Sequence, residues 1–457
     1  MIAIVILTFI LGYLTIVFEH PLKLDKTVPA LLMGAIMWAL VALGYHGGIL
    51  EIIDSHSHLY TMTGISDPVE MEKAHDHFST TLIHHIGKIA EILIFLIGAM
   101  TIVELIDLHK GFDVFKEIVK TRNKKKLLLI TTGLSFILSA IIDNLTTTIV
   151  MISLLRKLVK DRNERLYYVC LVIIAANAGG AWSPIGDVTT TMLWIGKKVS
   201  TGDLIVNLII PSILCTIIPL FFALRNKAFK GEITVNPEEE DEKGKLLSSK
   251  TMLILGLFMI IFVPIFKTIT HLPPYVGMML SLAVVWLVSE YIHPEENFTD
   301  EMKHKYSPHK ALSRIELSSI LFFLGILMAV AALETMVVNG VGTLRYLAEG
   351  LEKIVPDQNI VIILLGVLSA VIDNVPLVAA SMGMYNFPMD HTVWHFIAYA
   401  AGTGGSMLII GSAAGVAAMG MERIDFIWYF KKITLLAFLG YIGGCIIYMV
   451  MAPYLHG

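Results

Sequence analysis

Long apolar stretches separated by short polar segments dominate the sequence. Those that could cross a hydrocarbon core of about 30 Å predict ten transmembrane helices. They lie at about 2–18, 27–44, 89–106, 166–196, 203–224, 251–270, 274–291, 316–336, 394–418 and 425–451. Helices satisfy their own backbone hydrogen bonds in lipid, so this pattern predicts an all-α polytopic membrane protein.

Two further apolar stretches, 127–158 and 359–385, are each broken by an Asp-Asn pair. The pairs are Asp143-Asn144 and Asp373-Asn374. The first arm, 127–142, reaches only about 24 Å at 1.5 Å per residue, which is short for a crossing. Lysines and arginines flank 127–158 on both sides and place its two ends in one compartment. We therefore predict two re-entrant helical hairpins with their tips inside the membrane.

The basic residues also predict the orientation, because lysine and arginine concentrate on cytoplasmic loops. Most of the 34 basic residues fall on one set of alternating segments. These segments are 19–26, 109–126, 156–165, 225–250, 292–315 and 419–432. Both termini are then outside a bacterial-type plasma membrane. The first hairpin enters from the cytoplasm and the second from outside.

The two halves of the chain resemble each other. The run Ser139-Ala-Ile-Ile-Asp143-Asn144 recurs as Ser369-Ala-Val-Ile-Asp373-Asn374. After each hairpin comes a span interrupted by glycines, at 166–196 and at 394–418. Each half has five crossings, so the second copy is inverted, as in many secondary transporters. The predicted divisions are a first repeat at 1–225, a charged cytoplasmic linker at 226–250 and a second repeat at 251–457.

Composition supports a membrane protein and excludes several classes. Hydrophobic residues make up 56% of the chain and charged residues 16%, too few charges for a soluble domain. The net charge of −4 gives no indication of a nucleic-acid partner. The cysteines Cys170, Cys215 and Cys445 lie inside apolar stretches, which predicts buried free thiols. The lipid bilayer and small inorganic cations are the expected partners.

The hairpin tips and the interrupted spans carry the candidate chemistry. Backbone that leaves the helix in lipid must be satisfied by protein, water or an ion, and hard cations prefer oxygen ligands. The predicted ligands for sodium are oxygen-bearing side chains and backbone at these points. They are Ser139, Asn144, Thr146, Ser183, Gly186, Ser369, Asn374, Ser406 and Ser412.

Three carboxylates at these breaks are the predicted proton-exchangeable groups: Asp143, Asp373 and, assisting near the first hairpin, Asp187. An ionised carboxylate at membrane depth is costly, so a proton or a sodium ion neutralises it, and the two compete. The alternative is that Asp143, Asp373 and Asp187 only cap the half-helices that follow them. The two tip asparagines could likewise only satisfy backbone groups.

Other polar residues favour less specific interpretations. Glu104, Asp107 and Glu334 lie near span ends, where solvated helix ends compete with a proton path. The outer segment 45–88 contains seven histidines in no zinc-binding spacing, so we expect a solvated loop there. The histidines are His46, His56, His58, His75, His77, His84 and His85.

Three other classes of function fit the residues less well. A carrier of a small anion, such as a dicarboxylate, needs positive groups at its site, and neither tip nor break contains lysine or arginine. A channel fits poorly with two hairpins entering from opposite sides. An enzyme would need a nucleophile and base at the site, and we find no such pair and no cofactor motif.

The paired tip motifs, together with Gly179-Gly180-Ala-Trp-Ser-Pro-Ile-Gly186-Asp187 between them, resemble the NhaD family of sodium/proton antiporters. The resemblance implies exchange of Na⁺ or Li⁺ for H⁺, no cofactor, a homodimer and elevator-like movement of the hairpins. In the related dicarboxylate carriers the tips read Ser-Asn-Thr. Asp143 and Asp373 replace the first serine of that motif, which favours a cation over an anion.

Overall fold

The computed structural model describes residues 1–54, 58–65, 67–115, 119, 121–226, 229–233, 246–294 and 303–455. The acidic run at 238–242 of the predicted linker, and His56, lie outside these residues.

Helices form almost all of the described structure. Their bounds are α1 Ile2–Val17, α2 Glu19–Leu22, α3 Thr27–His46, α4 Pro68–Leu108, α5 Lys124–Ile142, α6 Asn144–Leu158, α7 Arg162–Ala181, α8 Val188–Ile195, α9 Thr201–Ala223, α10 Ser249–Thr270, α11 Pro274–Tyr291, α12 Lys303–Tyr306, α13 Pro308–Leu312, α14 Leu317–Thr335, α15 Thr343–Ile354, α16 Gln358–Leu368, α17 Asn374–Met384, α18 Thr392–Gly404, α19 Ala413–Glu422, α20 Phe426–Lys432 and α21 Thr434–Leu455.

Short antiparallel ladders are the only sheets among the described residues. Strand β1, Ile52–Ile53, pairs with β2, Leu59–Tyr60, and β3, Val337–Val338, pairs with β4, Val341–Gly342. A polytopic helical protein is therefore confirmed: eight described helices are long and apolar enough to cross a membrane.

The predicted breaks fall where the helices end. Helices α5 and α6 separate at Asp143, and α16 and α17 flank Asp373. The interrupted spans appear as α7 with α8, and as α18 with α19. Helix α5 has 19 residues, three more than expected, and is long enough to cross a membrane. The re-entrant course of the hairpins and the inversion of the second repeat stay predictions.

The expectation of a solvated loop over 45–88 is wrong at Tyr45 and His46, which end α3, and from Pro68 onward. Helix α4 begins there, with the Asp67 carboxylate accepting a hydrogen bond from the Val69 amide at 2.9 Å. The helix has 41 residues and is about 60 Å long, roughly twice the hydrocarbon thickness. His85 on this helix is buried, and its Nε2 lies 2.9 Å from the Thr335 hydroxyl. A mostly polar first half concealed the helix from a search for apolar spans.

The chain divides into two compact units. The first contains residues 1–94, 316–361 and 375–388. Within it α3 packs against α14, where a Cβ on Gly325 would lie 2.5 Å from the backbone of Ala30. The Trp38 indole donates to the Met328 carbonyl at 2.8 Å across the same contact. Small residues allow such close helix packing without a hydrophobic driving force in lipid.

The second unit contains residues 95–315, 362–374 and 389–457. Within it α7 is the central helix, packing against α5, α6, α9 and α18. Every side chain from Tyr168 to Ala181 on α7 is buried. The three cysteines lie buried and free in this unit, as predicted. Both hairpin tips and both helix breaks belong to it, so the candidate site lies within one unit.

Candidate functional site

Asp143 forms the tip of the first hairpin and caps α6. Its backbone φ of +78° is unusual for a residue with a side chain. The carboxylate accepts from the Thr146 amide at 2.7 Å and from the Thr146 hydroxyl at 2.9 Å. The geometry fits the capping interpretation of Asp143 and makes Thr146 part of the cap. Such strained positions persist where the surrounding structure fixes them.

Asn144, the first residue of α6, reaches away from the tip into the unit. Its side-chain amide donates to the Asn177 side-chain oxygen at 2.9 Å and to the Asp187 carboxylate at 3.0 Å. All three side chains are buried. The first hairpin tip is thereby fixed to the helix break after α7.

Asp187 receives amide groups from both hairpin tips. Besides Asn144, the Asn374 side-chain nitrogen lies 3.3 Å and 3.5 Å from the two carboxylate oxygens. The same carboxylate caps α8 by accepting from the Thr189 amide at 3.0 Å. Asp187 as a whole is only 2% exposed. Asp187 is therefore a buried carboxylate shared by the two halves of the chain.

Two further carboxyl groups lie within electrostatic range of Asp187. Asp143 and Asp373 each interact electrostatically with Asp187, and like charges repel. No ion pair joins Asp187 to any lysine or arginine that the structure describes. The arrangement favours binding of a positive ion or a proton over an anion.

The second break carries a hydroxyl where the first carries a carboxylate. Ser412 caps α19 by accepting from the Gly415 amide at 3.2 Å. The Asn177 side chain also donates to the Ser412 hydroxyl, at 3.0 Å. Asn177 thus bridges the first hairpin tip and the second break.

Equivalent backbone contacts occur in both halves. The Ser139 hydroxyl donates to the Ala176 carbonyl at 2.6 Å, and that of Ser369 donates to the Ala401 carbonyl at 2.9 Å. A Cβ on Gly186 would lie 2.7 Å from the Ser139 carbonyl oxygen, so only glycine fits there. The predicted serines and Gly186 therefore lie where each hairpin packs on its helix break.

Other predicted residues are not joined to Asp187 by any described contact. Among the described residues, the Ser183 hydroxyl accepts from the Ile185 amide, and the Ser406 hydroxyl donates to the Thr403 carbonyl.

The acidic residues of the possible proton path have other neighbours among the described contacts. Glu104 and Asp107 pair with Arg314, at 3.1 Å and 2.7 Å. Glu334 lies in the first unit, beside Gly383.

Two hydroxyls beside Asn144 have no hydrogen-bond partner in the described part of the chain. Thr147 and Thr148 are fully buried on α6. Residues three and four positions apart share a helix face, so both lie on the face that carries Asn144. Buried polar atoms without partners are costly, and a bound ion or water would satisfy them.

Asn177 received no assigned role from the sequence, although it bridges three elements. Its signal was a single amide within a helix segment that is otherwise apolar or small. Polar side chains inside a membrane span are costly and usually have partners. Within the described ranges, no group of three or more His, Cys, Asp or Glu could hold a metal ion. A cation here would depend on amide, hydroxyl and backbone oxygens as well as carboxylate.

Residues 13–396 match the citrate transporter family CitMHS. The chain is 42% identical over 454 residues to "Sodium/proton antiporter 1" of Arabidopsis thaliana, covering 97% of this chain and 72% of that protein. It is 31% identical to "Na(+)/H(+) antiporter NhaD" of Alkalimonas amylolytica, covering 96% and 89% of the two chains.

A solved structure gives the same fold. The crystal structure of the Alcanivorax borkumensis YdaH transporter matches with a TM-score of 0.60, covering 94% of this chain and 98% of that one. The two sequences are only 13% identical, so the likeness concerns the fold alone.

Proposed function

The chain belongs to the citrate transporter family and, within it, to the NhaD-type sodium/proton antiporters, and from this we propose that it exchanges Na⁺ for H⁺ across a membrane. The observation that carries the proposal is the buried Asp187 carboxylate, which receives an amide from each hairpin tip. The two hairpin tips, which have similar sequence motifs, therefore contact the same titratable carboxylate.

Competition at Asp187 would couple the two ions. When ionised, the carboxylate attracts a cation and is repelled by Asp143 and Asp373. A proton removes that attraction, so sodium and proton binding oppose each other. We assign Asp187 the central exchange and Asp143 and Asp373 flanking charge, because the Asp187 carboxylate accepts hydrogen bonds from both hairpin tips.

Neutral oxygens would complete the coordination of the transported ion. Sodium and lithium are hard cations that prefer oxygen. The asparagine side chains of both tips contact Asp187, and the hydroxyls of Thr147 and Thr148 lie on the α6 face that carries Asn144. With backbone carbonyls at the breaks, these groups supply neutral oxygens. We propose that either ion is carried, as substrate and not as a resident metal.

Transport of citrate or another dicarboxylate is the alternative that the family description raises. Charge at the site disfavours transport of such an anion, because the carboxylates of Asp143, Asp187 and Asp373 would repel it. An anion site would use positive side chains or half-helix N-termini, and the N-termini of α6 and α8 are already capped by aspartates.

The remaining features are proposals from the family resemblance. We propose a homodimer in a plasma membrane, with both termini outside, and an elevator-like movement that carries the site between the two sides. Both tips and both breaks lie in one compact unit, which suits their moving together, while α17 after Asn374 belongs to the other unit. Labelling of single cysteines from each side would contradict the topology if positions 124 and 390 reacted from the same side.

Purified protein in liposomes with an internal pH dye tests the function. We expect added Na⁺ or Li⁺ to drive proton release from the lumen, and K⁺ or citrate to drive none. A response to citrate with none to Na⁺ would replace the antiporter by an anion carrier. Steady single-channel current instead of saturable exchange would contradict alternating access.

A further inference from the structure

An ion-pair cluster lies at the end of α19, on the predicted cytoplasmic side. The Glu422 side chain is only 1% exposed and pairs with Arg156 at 2.6 Å. It also pairs with Arg165, whose Nε and Nη2 lie 3.1 Å and 3.0 Å from the same carboxylate oxygen. A buried carboxylate bound by two arginines resists displacement, because withdrawing it from both would leave its charge buried without a partner.

Arginines also bind the last backbone carbonyls of α19. Arg156 donates to the Met421 carbonyl, and Arg162 donates to the carbonyls of Glu422 and Arg423, both at 2.8 Å. A helix C-terminus has carbonyls without intrahelical partners and a partial negative charge. The arginines meet both needs, so this end of α19 is fixed through its side chain and its backbone.

Each residue of the cluster lies on a helix that also carries or begins next to a side chain of the candidate site. Arg156 is on α6, which begins at Asn144 about 18 Å away, and Glu422 is on α19, which begins after Ser412 about 15 Å away. Arg165 is on α7, which carries Asn177. Three helices that supply the hydrogen-bonded side chains around Asp187 are therefore joined a second time, at their far ends.

We propose that Glu422, with Arg156 and Arg165, is a positioning cluster that fixes the distance of Asn144 and Ser412 from Asp187 and so sets the affinity for the transported cation. The proposal rests on the proposed antiport. In the described contacts none of the three residues touches the site, so they act through the helices that carry Asn144, Asn177 and Ser412.

The cluster stays charged at neutral pH. Burial alone would raise the pKa of Glu422, but the hydrogen bonds and charges of Arg165 and Arg156 hold that pKa below its ordinary value. A lowered carboxylate pKa means that the pairing is lost only as the pH falls through that pKa. Variants of Glu422 are thus expected to change cation affinity without changing the number of protons exchanged.

Liposome exchange by Glu422→Gln and Glu422→Asp tests the proposal. We expect Glu422→Gln to raise the apparent KM for Na⁺ about fivefold, Glu422→Asp to stay near wild type, and the slope of KM against pH to stay unchanged. Glu349→Gln is the matched control, because Glu349 pairs with Arg345 in an exposed i, i+4 pair on α15. It should have no effect.

A double-mutant cycle with Asn144→Ala separates positioning from general destabilisation. If Glu422 acts through Asn144, adding Glu422→Gln to Asn144→Ala should raise KM by less than twofold, because coupled effects are not additive.

Independent multiplication of the two effects would overturn the proposal. A wild-type apparent KM for Na⁺ in Glu422→Gln would also overturn it, whether or not the abundance and thermal stability of the variant fall. If the wild-type protein shows no Na⁺/H⁺ exchange in the same vesicles, the proposed antiport itself is refuted.

Discussion

The two helix breaks are built alike and differ in one functional group. Each begins a half-helix with a side-chain cap, Asp187 before α8 and Ser412 before α19. In each, a glycine packs on a hairpin carbonyl, Gly186 on Ser139 and Gly411 on Ala370. The first break supplies a carboxylate and the second a hydroxyl. The local geometry of the two breaks is alike, whereas their charge differs.

Because only the first break has a carboxylate, both hairpin tips contact the same charged group, Asp187. Asn144 and Asn374 both reach Asp187, and neither tip amide donates to Ser412 in the described contacts. Asn177 connects Ser412 to the same group of side chains. The second break thus supports the charged group of the first, and changes at the two breaks should have very unequal effects.

Replacing the carboxylate of the first break should have the largest effect. Asp187→Asn keeps an oxygen to cap α8 but removes the charge that both tips contact. Hydrogen bonds to charged groups contribute about 1.5–3 kcal/mol each, so we expect Na⁺-driven proton movement to fall at least about 100-fold. Asp203→Asn, in the exposed first turn of α9, is the control and should exchange normally. Wild-type exchange by Asp187→Asn would remove Asp187 from the mechanism.

The two tip amides should differ from each other. Asn144 makes hydrogen bonds of 2.9 Å and 3.0 Å, whereas those of Asn374 are 3.3 Å and 3.5 Å. We expect Asn144→Ala to raise the apparent KM for Na⁺ about tenfold and Asn374→Ala about threefold, consistent with a stronger charge-assisted bond at the first tip. Measured KM values in the reverse order would contradict the inequality of the tips.

Variants of Asp143 separate capping from exchange. Asp143→Asn can still cap α6, so we expect normal thermal stability and reduced but measurable exchange. Asp143→Ala should lower the stability by about 1 kcal/mol through loss of the cap. Complete loss of exchange by a stable Asp143→Asn protein would transfer the central role from Asp187 to the hairpin tip.

Ser412→Ala should have the smallest effect. It removes a cap and the acceptor for Asn177 but no charge, so we expect at most a threefold rise in KM and about 1 kcal/mol less stability. Liposome exchange and a thermal unfolding curve of the same preparation measure both. A loss as large as that of Asp187→Asn would mean that the two breaks are functionally equal.

The sequence predicted the helix breaks well because their signals are local. An Asp-Asn pair inside an apolar stretch, or a run of Gly, Ser and Pro, interrupts a helix wherever it occurs. Asp143, Asp187 and Ser412 therefore fall at helix ends as expected. The first half of α4 was missed because it is polar, and an apolar-span search cannot find a helix that extends beyond the membrane.

Which side chains meet could not be predicted, because that depends on contacts between distant segments. Asn144 and Asn374 are 230 positions apart, and both lie against Asp187. The Glu422 cluster likewise joins residues more than 250 positions apart. Residue type suggested candidate ligands at each break, while packing determined that Asn177 contacts Asn144 and Ser412. Packing likewise pairs Arg314 with Glu104 and Asp107.

The pH dependence of the apparent KM for Na⁺, compared between wild type and Asp187→Asn, tests the central claim most directly. If one carboxylate holds either a proton or a cation, the wild-type KM should rise tenfold per pH unit for each proton displaced, below the pKa of that group. If Asp187→Asn still binds Na⁺, its dissociation constant, measured by calorimetry, should not change with pH in this way. An identical slope in the variant would contradict competition at Asp187.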